Sequence, residues 1–190
     1  SGGIADTVAP TAEDDVIFNA NSGNVTVDAT AVAKTINQTG YTNVLTHNAV
    51  TLTVSGSVTL ASGKYTTSGA ATLAIDATGT LTSAGNTLYN LTVNASGGTV
   101  TLGDASNVSN EVTHSFGTFI TYGGAGALTH NWFKFTSYPT NIRTMTLGNS
   151  TINISAAYPN YSWNMAYALN LTFNANTSTI NMTGSNAYFY

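Results

Sequence analysis

The chain has 190 residues, of which 42% are apolar and only 6% are charged, with a net charge of −4 and no cysteine. This composition predicts a folded chain of about one domain, because disordered chains are charged and poor in apolar residues. The four basic residues are scattered, which argues against the basic patch of a nucleic-acid-binding protein. No apolar stretch approaches the roughly 18 residues of a membrane-spanning helix.

Residues 1–12 have the composition of an arm or linker, with two adjacent glycines and a proline. The folded domain is therefore predicted to span 13–190. Ile4 and Val8 are the larger apolar residues of the arm. Because an extended segment can add a strand to a neighbouring sheet, we expect these two residues to contribute to assembly.

Oxygen-bearing side chains cluster just after this arm. Asp14, Asp15, Asn19 and Asn21 offer carboxylate and carboxamide oxygens, which are the ligands that Ca²⁺ prefers. Their spacing differs from that of an EF-hand loop. The sequence therefore makes structural calcium at these four residues the one cofactor candidate, and it indicates no other cofactor.

An internal repeat determines the predicted fold. Three copies that align without a gap begin at Val16, Leu91 and Leu171, and each reads apolar-x-apolar-Asn-Ala, a polar corner, then apolar-x-apolar. Apolar repeat positions recur at intervals of 16 to 21 residues, at Leu52, Leu73, Leu91, Val112, Leu128 and Met145. Alternation with period two predicts strands, and this spacing predicts an all-β parallel β-helix, a solenoid of short stacked coils. The alternative is a β-sandwich in which each copy is a hairpin.

The composition changes at Glu111. All eight acidic residues lie at or before it, and 15 of the 19 aromatic residues lie after it. We therefore expect one solenoid domain over 13–190 that is less regular and aromatic-rich after residue 111. Candidate rings for stacking on a carbohydrate or for a subunit contact are Trp132, Tyr158, Tyr161, Trp163 and Tyr167. The rings of Tyr188, Phe189 and Tyr190 are expected to contribute to assembly.

The ionisable residues do not form a catalytic pattern. β-Helix enzymes that cleave polysaccharides need clustered carboxylates, whereas the acids here are scattered and the adjacent Asp14 and Asp15 point to opposite faces of a strand. His47, His114 and His130 recur in Thr-His pairs and are interpreted as surface histidines. No catalytic residue is predicted, and the alternative is a polysaccharide lyase or hydrolase.

Eleven asparagines are followed two residues later by Ser or Thr, as N-glycosylation requires. An outward Asn and an outward Thr on one strand create this pattern without any glycan, because alternate residues share a face. The candidates for glycan attachment are Asn24, Asn37, Asn90, Asn94, Asn107, Asn149, Asn153, Asn160, Asn170, Asn176 and Asn181.

Threonine pairs suggest a more remote function. They would stack into a flat ice-binding face if they shared one side of the solenoid, although Thr is also a common strand residue. The pairs are Thr51/Thr53, Thr80/Thr82, Thr99/Thr101 and Thr144/Thr146.

The stretch from Pro10 to Gly23 and the repeats over 91–98 and 174–184 resemble the repetitive β-structural proteins of tailed-phage virions, and also secreted bacterial surface proteins and adhesins. The resemblance covers most of residues 10–184 and implies a structural or adhesive role without catalytic residues. We therefore expect a non-enzymatic subunit of an extracellular appendage or particle. Its expected partners are copies of itself or a neighbouring structural protein joined at the chain ends, and surface glycans.

Overall fold

The computed structural model describes residues 9–123, 126–137, 140–157, 161–166 and 168–190. These residues form eighteen β-strands and no helix. Every pairing between the strands is parallel, whereas a hairpin would pair its strands antiparallel. The predicted β-solenoid is therefore confirmed, and the alternative β-sandwich is wrong. Within the described ranges, no helix is long and apolar enough to cross a membrane.

The chain passes from face 1 to face 2 to face 3 and then begins the next coil. Face 1 is formed by β1 (Asp15–Ile17), β4 (Thr35–Asn37), β7 (Val58–Thr59), β10 (Gly79–Thr82), the ends of β11 (Thr87–Leu102) and β12 (Asn107–Ile120), β14 (Arg143–Thr146) and β17 (Leu171–Asn174). Face 2 is formed by β2 (Val25–Val27), β5 (Leu45–His47), β8 (Tyr65–Thr67), the beginnings of β11, β12 and β13 (Thr129–Ser137), β15 (Thr151–Ile154) and β18 (Thr179–Met182). Face 3 is formed by β3 (Ala31–Ala33), β6 (Thr51–Val54), β9 (Thr72–Ile75), the middles of β11 and β12, the end of β13 and β16 (Trp163–Asn164).

Inward side chains of successive coils stack into columns that fill the interior. On face 3, one buried column contains Leu52, Leu73, Leu91, Val112, Phe135 and Trp163. Its first four members are the repeat positions identified in the sequence. The next two predicted positions lie outside this column, because Leu128 precedes β13 and Met145 lies on face 1 beside Phe119. The copy that begins at Met145 is nevertheless a strand, a corner and a second strand, β14 and β15.

The three ungapped sequence copies do not occupy equivalent places. Those beginning at Val16 and Leu171 pass from face 1 to face 2, whereas the copy beginning at Leu91 passes from face 3 to face 1. The motif therefore marks a type of corner between two strands rather than a fixed position in the coil.

The coils lengthen along the chain, and the interior then contains aromatic rings. On face 2, one coil takes 20 residues from Val25 to its partner Leu45, but 28 from Ile154 to its partner Met182. Buried rings stack between the later coils, and the closest pair, Phe135 and Trp163, has centroids 4.4 Å apart. Large rings therefore fill the interior in the region where the coils contain more residues.

Candidate functional site

All three histidines lie in the interior, each with no exposed surface. The interpretation of His47, His114 and His130 as surface residues is wrong. His47 is aligned with Val27, and His114 with Val93, so these two histidines take inward positions that apolar residues take in the preceding coil. His130 lies over the buried Ser106 of the preceding coil. The alternation of inward and outward residues in the sequence indicates that these histidines point inward, because each histidine follows an outward threonine.

Each buried histidine is within hydrogen-bonding distance of a backbone carbonyl through its Nε2. The acceptors are Val50 O for His47 at 3.0 Å, Gly117 O for His114 at 3.0 Å and Thr121 O for His130 at 2.6 Å. The carbonyls require an N–H on Nε2, which fixes the neutral tautomer with an unprotonated Nδ1. In His130 this Nδ1 accepts a hydrogen bond from the Ser106 N–H at 3.1 Å.

Burial lowers the pKa of all three histidines, because the charged imidazolium loses its hydration in the interior. The pKa of His114 falls to about 4, and the nearby charge of Arg143 contributes to the decrease. For His130, a hydrogen bond to Thr121 and the charge of Asp104 oppose the decrease. The histidines are therefore neutral at pH 7 and act as hydrogen-bonded parts of the core.

Two of the carboxylates hold neighbouring coils together. Asp104 accepts hydrogen bonds from the backbone N–H groups of Ser83 and Ala84 at 2.8 and 2.6 Å, and Asp76 accepts one from the Ser55 hydroxyl at 2.8 Å. Each bond joins a residue to the preceding coil. Asp76 follows a face-3 strand and Asp104 follows a face-1 strand, so the two carboxylates stand at different corners.

Three of the four residues of the predicted calcium site use a side-chain oxygen in a hydrogen bond, and Asn21 contributes its backbone N–H to one of these bonds. Asp14 accepts hydrogen bonds from the backbone and hydroxyl of Thr11, both at 2.8 Å, and Asn19 accepts one from the N–H of Asn21 at 2.9 Å. Asp15 accepts a hydrogen bond from the hydroxyl of Thr35 at 2.7 Å. Within the described ranges, no three His, Cys, Asp or Glu side chains form a potential metal-binding group. Calcium binding at this position stays a prediction.

The predicted carbohydrate-stacking rings do not form one exposed platform. Trp132 and Trp163 are only 1% and 0% exposed, so the prediction that they stack on an external sugar is wrong. Both take inward positions, Trp132 beside Val108 and Trp163 beside Phe135. Tyr161 is 55% exposed, whereas Tyr158 and Tyr167 lie outside the described residues.

Three of the residues predicted to contribute to assembly, Tyr188, Phe189 and Tyr190, continue the stack of coils. Phe189 forms a parallel β-bridge with Trp163, and their nearly parallel rings have centroids 6.0 Å apart. The backbone N–H of Trp163 donates to the carbonyl of Tyr188 at 3.0 Å. The N–H of Tyr190 donates to the carbonyl of Trp163 at 2.8 Å. These three terminal residues are exposed. Ile4 and Val8 of the arm lie outside the described residues.

The described asparagines among the glycosylation candidates are all at least partly exposed, and Asn160 lies outside the described residues. They differ in what their carboxamides contact. Asn153 and Asn181 donate from Nδ2, the atom to which an N-linked sugar would attach, to a neighbouring asparagine. Asn94, Asn149 and Asn176 are exposed, and we expect them to accept a sugar at lower cost because no Nδ2 hydrogen bond of theirs is found among the described residues.

The threonine pairs do not share one face. Thr51/Thr53 is on face 3, whereas Thr80/Thr82, Thr99/Thr101 and Thr144/Thr146 are on face 1. Outward threonines also form a column on face 2, where Thr129, Thr151 and Thr179 are aligned. Threonine therefore covers every face, as a common strand residue would.

Four carboxamides on the outside of face 2 form an Asn ladder, which the sequence analysis did not identify. Its members are Asn107, Asn131, Asn153 and Asn181. The Nδ2 of each of the last three members donates to the Oδ1 of the preceding member, at 3.0, 2.9 and 2.9 Å. Three of the four are glycosylation candidates, so the ladder accounts for three of the eleven Asn-x-Ser/Thr sequences.

A shallow groove of about 290 Å³ follows the Asn ladder along the solenoid. We call it the face-2 groove. Its lining includes Asn107, Asn131 and Asn153, which are aligned in successive coils, and a second row of Ser109, Phe133 and Ser155, each of which lies two residues after one of these asparagines.

Comparisons with protein-family models, curated proteins and solved structures find no match to this chain.

Proposed function

We propose that this protein is a non-enzymatic structural and adhesive subunit of an extracellular appendage or particle. The observation that carries the proposal is the use of ionisable side chains in holding the coils together. His130 bonds within the core, while Asp76 and Asp104 receive hydrogen bonds from the preceding coil. Groups with these contacts are already committed to the fold, so they do not offer a substrate a free general acid or base.

Assembly is expected through strand edges. In the described residues, β1, β2 and β3 pair on one side only, as do β17 and β18. A strand edge presents unpaired N–H and C=O groups that template further strand pairing. A second copy of this chain or a neighbouring structural protein would satisfy those groups by adding strands.

The enzymatic alternative is tested by incubating the protein with neutral and acidic polysaccharides and measuring new reducing ends and unsaturated products. We expect no turnover. Specific, sustained cleavage would overturn the proposal in favour of a polysaccharide lyase or hydrolase.

Assembly is tested by sedimentation velocity across a range of concentrations, together with an intact-mass measurement that reports attached sugars. We expect association that increases with concentration and that weakens when residues 1–12 are deleted, while the circular dichroism of the β-strands is retained. A protein that stays monomeric at high concentration would contradict the assembly part of the proposal.

A further inference from the structure

The Asn ladder holds its carboxamides in fixed orientations. A carboxamide has two N–H donors and two acceptor lone pairs, and a middle member such as Asn131 uses one of each inside the ladder. One donor and one acceptor therefore remain on each middle residue for a ligand. Since the coils are about 4.8 Å apart, these donor and acceptor pairs repeat along the groove at that spacing.

Pairs of this kind match the hydroxyl groups of sugars. A hydroxyl both donates and accepts, so two neighbouring hydroxyls can bond to the N–H and the C=O of one carboxamide. The ladder fixes the side chains before a ligand arrives, which lowers the entropic cost of binding. Ser155 adds a hydroxyl on the opposite side of the groove, and Ser109 adds one that already donates to the Leu88 carbonyl and can only accept from a ligand.

Phe133 supplies the apolar part of the site. It is partly exposed and lines the groove between Ser109 and Ser155, in the row opposite the Asn ladder. An aromatic ring packs against the apolar C–H face of a pyranose, as aromatic side chains do in many binding sites that combine one ring with a few polar groups.

The lining also indicates the charge and shape of the ligand. The residues that line the groove are Asn, Ser, Thr, Val, Trp and Phe, and none of them carries a charge. The groove is open and crosses three successive coils, from Asn107 to Asn153. A neutral chain that lies along the solenoid axis fits this lining better than an acidic chain or a compact small molecule.

We propose that the face-2 groove binds a neutral, linear polysaccharide, whose hydroxyls bond to the Asn ladder and one of whose rings packs on Phe133. This inference deepens the adhesive part of the proposed function and rests on it, but it does not depend on self-assembly. It also assigns recognition to residues other than the predicted aromatic platform.

The test is affinity electrophoresis through gels that contain neutral polysaccharides (glucan, mannan, xylan or galactan) or acidic ones (alginate or polygalacturonate). The protein used is one whose intact mass shows no attached sugar, because a glycan on Asn153 would occupy the groove. We expect retardation by at least one neutral polymer and none by the acidic polymers. Phe133→Ala and Asn131→Ala should each weaken binding about fivefold, the size expected from the loss of one ring contact or one to two hydrogen bonds.

Matched substitutions outside the groove distinguish a loss of binding at the groove from a general effect on the fold. Asn174→Ala removes an exposed carboxamide that bonds to Thr146 on face 1, and Phe116→Ala removes a partly exposed ring at another corner. Both should leave binding unchanged. Ser155→Arg fills the groove from an exposed position without altering the interior, so it tests the site even if Phe133→Ala does not fold.

The outcomes distinguish the two proposals. Three results would overturn the proposed polysaccharide site while leaving the structural role in place. They are absence of binding to every neutral polymer, binding to acidic polymers alone, and binding that neither Ser155→Arg nor Asn131→Ala changes. Cleavage of a bound polymer would instead overturn the non-enzymatic role. The proposed site would be supported if a neutral polymer retards the protein, Ser155→Arg abolishes this retardation and Asn174→Ala preserves it.

Discussion

At the scale of single residues, the buried histidines make the stability of the fold dependent on pH. Each imidazole is held neutral, and in His47 and His130 the Nδ1 atom is already within hydrogen-bonding distance of a hydroxyl or N–H group. A proton on Nδ1 removes its lone pair and places a charge in the apolar interior. The native state therefore binds fewer protons than the unfolded chain at mildly acidic pH.

We expect the free energy of unfolding to be constant near pH 7 and to fall as the pH decreases from 6.5 toward 4. The folded pKa of His114 is about 4 and the unfolded value is 6.5, so stability is complete above 6.5 and is lost through this window. His114 alone accounts for about 3 kcal/mol, from 1.36 kcal/mol for each unit of pKa. The measurement is urea denaturation at several pH values.

The matched variant is His114→Leu, which cannot titrate at that position. Its free energy of unfolding should depend less steeply on pH between 6.5 and 4 than that of the wild type. Equal slopes in the two proteins would mean that His114 is not the residue that titrates.

At the scale of strands and corners, the sequence predicted the strands and the columns of the first coils well. The alternation of Leu52, Leu73, Leu91 and Val112 is regular, and their spacing is the coil length. The spacing of the repeat does not give the coil length from Leu128 onward, because the later coils are longer and their inward positions carry Trp132, Phe135 and His130. Bulky or polar residues at inward positions do not look like a repeat of aliphatic ones.

The candidate site could be predicted less well than the strands. A side-chain ladder depends on register, and the spacings from Asn107 to Asn131, Asn153 and Asn181 are unequal, at 24, 22 and 28 residues. Only the folded chain aligns these asparagines. Their shared local pattern, Asn followed by an apolar residue and then Ser or Thr, is visible at Asn107, Asn153 and Asn181, where it resembles a glycosylation signal.

One corner provides a test of how closely the coils approach. Gly117 has φ of +78°, and a methyl group at its Cα would overlap the carbonyl oxygen of Ala95 in the preceding coil. Gly97 has a similar φ of +71° but open space around it. Gly97→Ala should cost about 1–2 kcal/mol for the left-handed backbone, and Gly117→Ala should cost about 1–3 kcal/mol more for the overlap.

Thermal and urea denaturation of the two variants measure this difference directly. Because both glycines have positive φ, the backbone cost is common to both substitutions and only the steric cost differs. Equal destabilisation would show that the corner opens to accommodate a methyl group.

At the scale of the whole molecule, each inner coil contacts the coils before and after it, so stability is expected to be distributed along the axis. In solenoids of this type the stability is close to a sum over neighbouring repeats, and the outermost repeats open most often. The coils that contain Leu91–Val93 and Val112–His114 have a paired coil on each side.

We expect backbone amides in these central coils to exchange with deuterium most slowly, and those in β1, β2 and β18 to exchange faster. If copies join at their strand edges, protection of β1, β2 and β18 should increase with protein concentration while the central coils stay unchanged. Hydrogen exchange read by mass spectrometry on peptides from each coil measures both effects. Protection that is uniform along the chain would contradict this description.

The stacked rings of the later coils also determine what an optical experiment can detect. Both tryptophans of the chain, Trp132 and Trp163, belong to these coils, and the half of the chain before Val108 has none. Tryptophan emission therefore reports the opening of the aromatic part, whereas the earlier coils unfold without changing it. A denaturation curve followed by fluorescence and one followed by far-ultraviolet circular dichroism should separate whenever the two parts of the stack open at different denaturant concentrations.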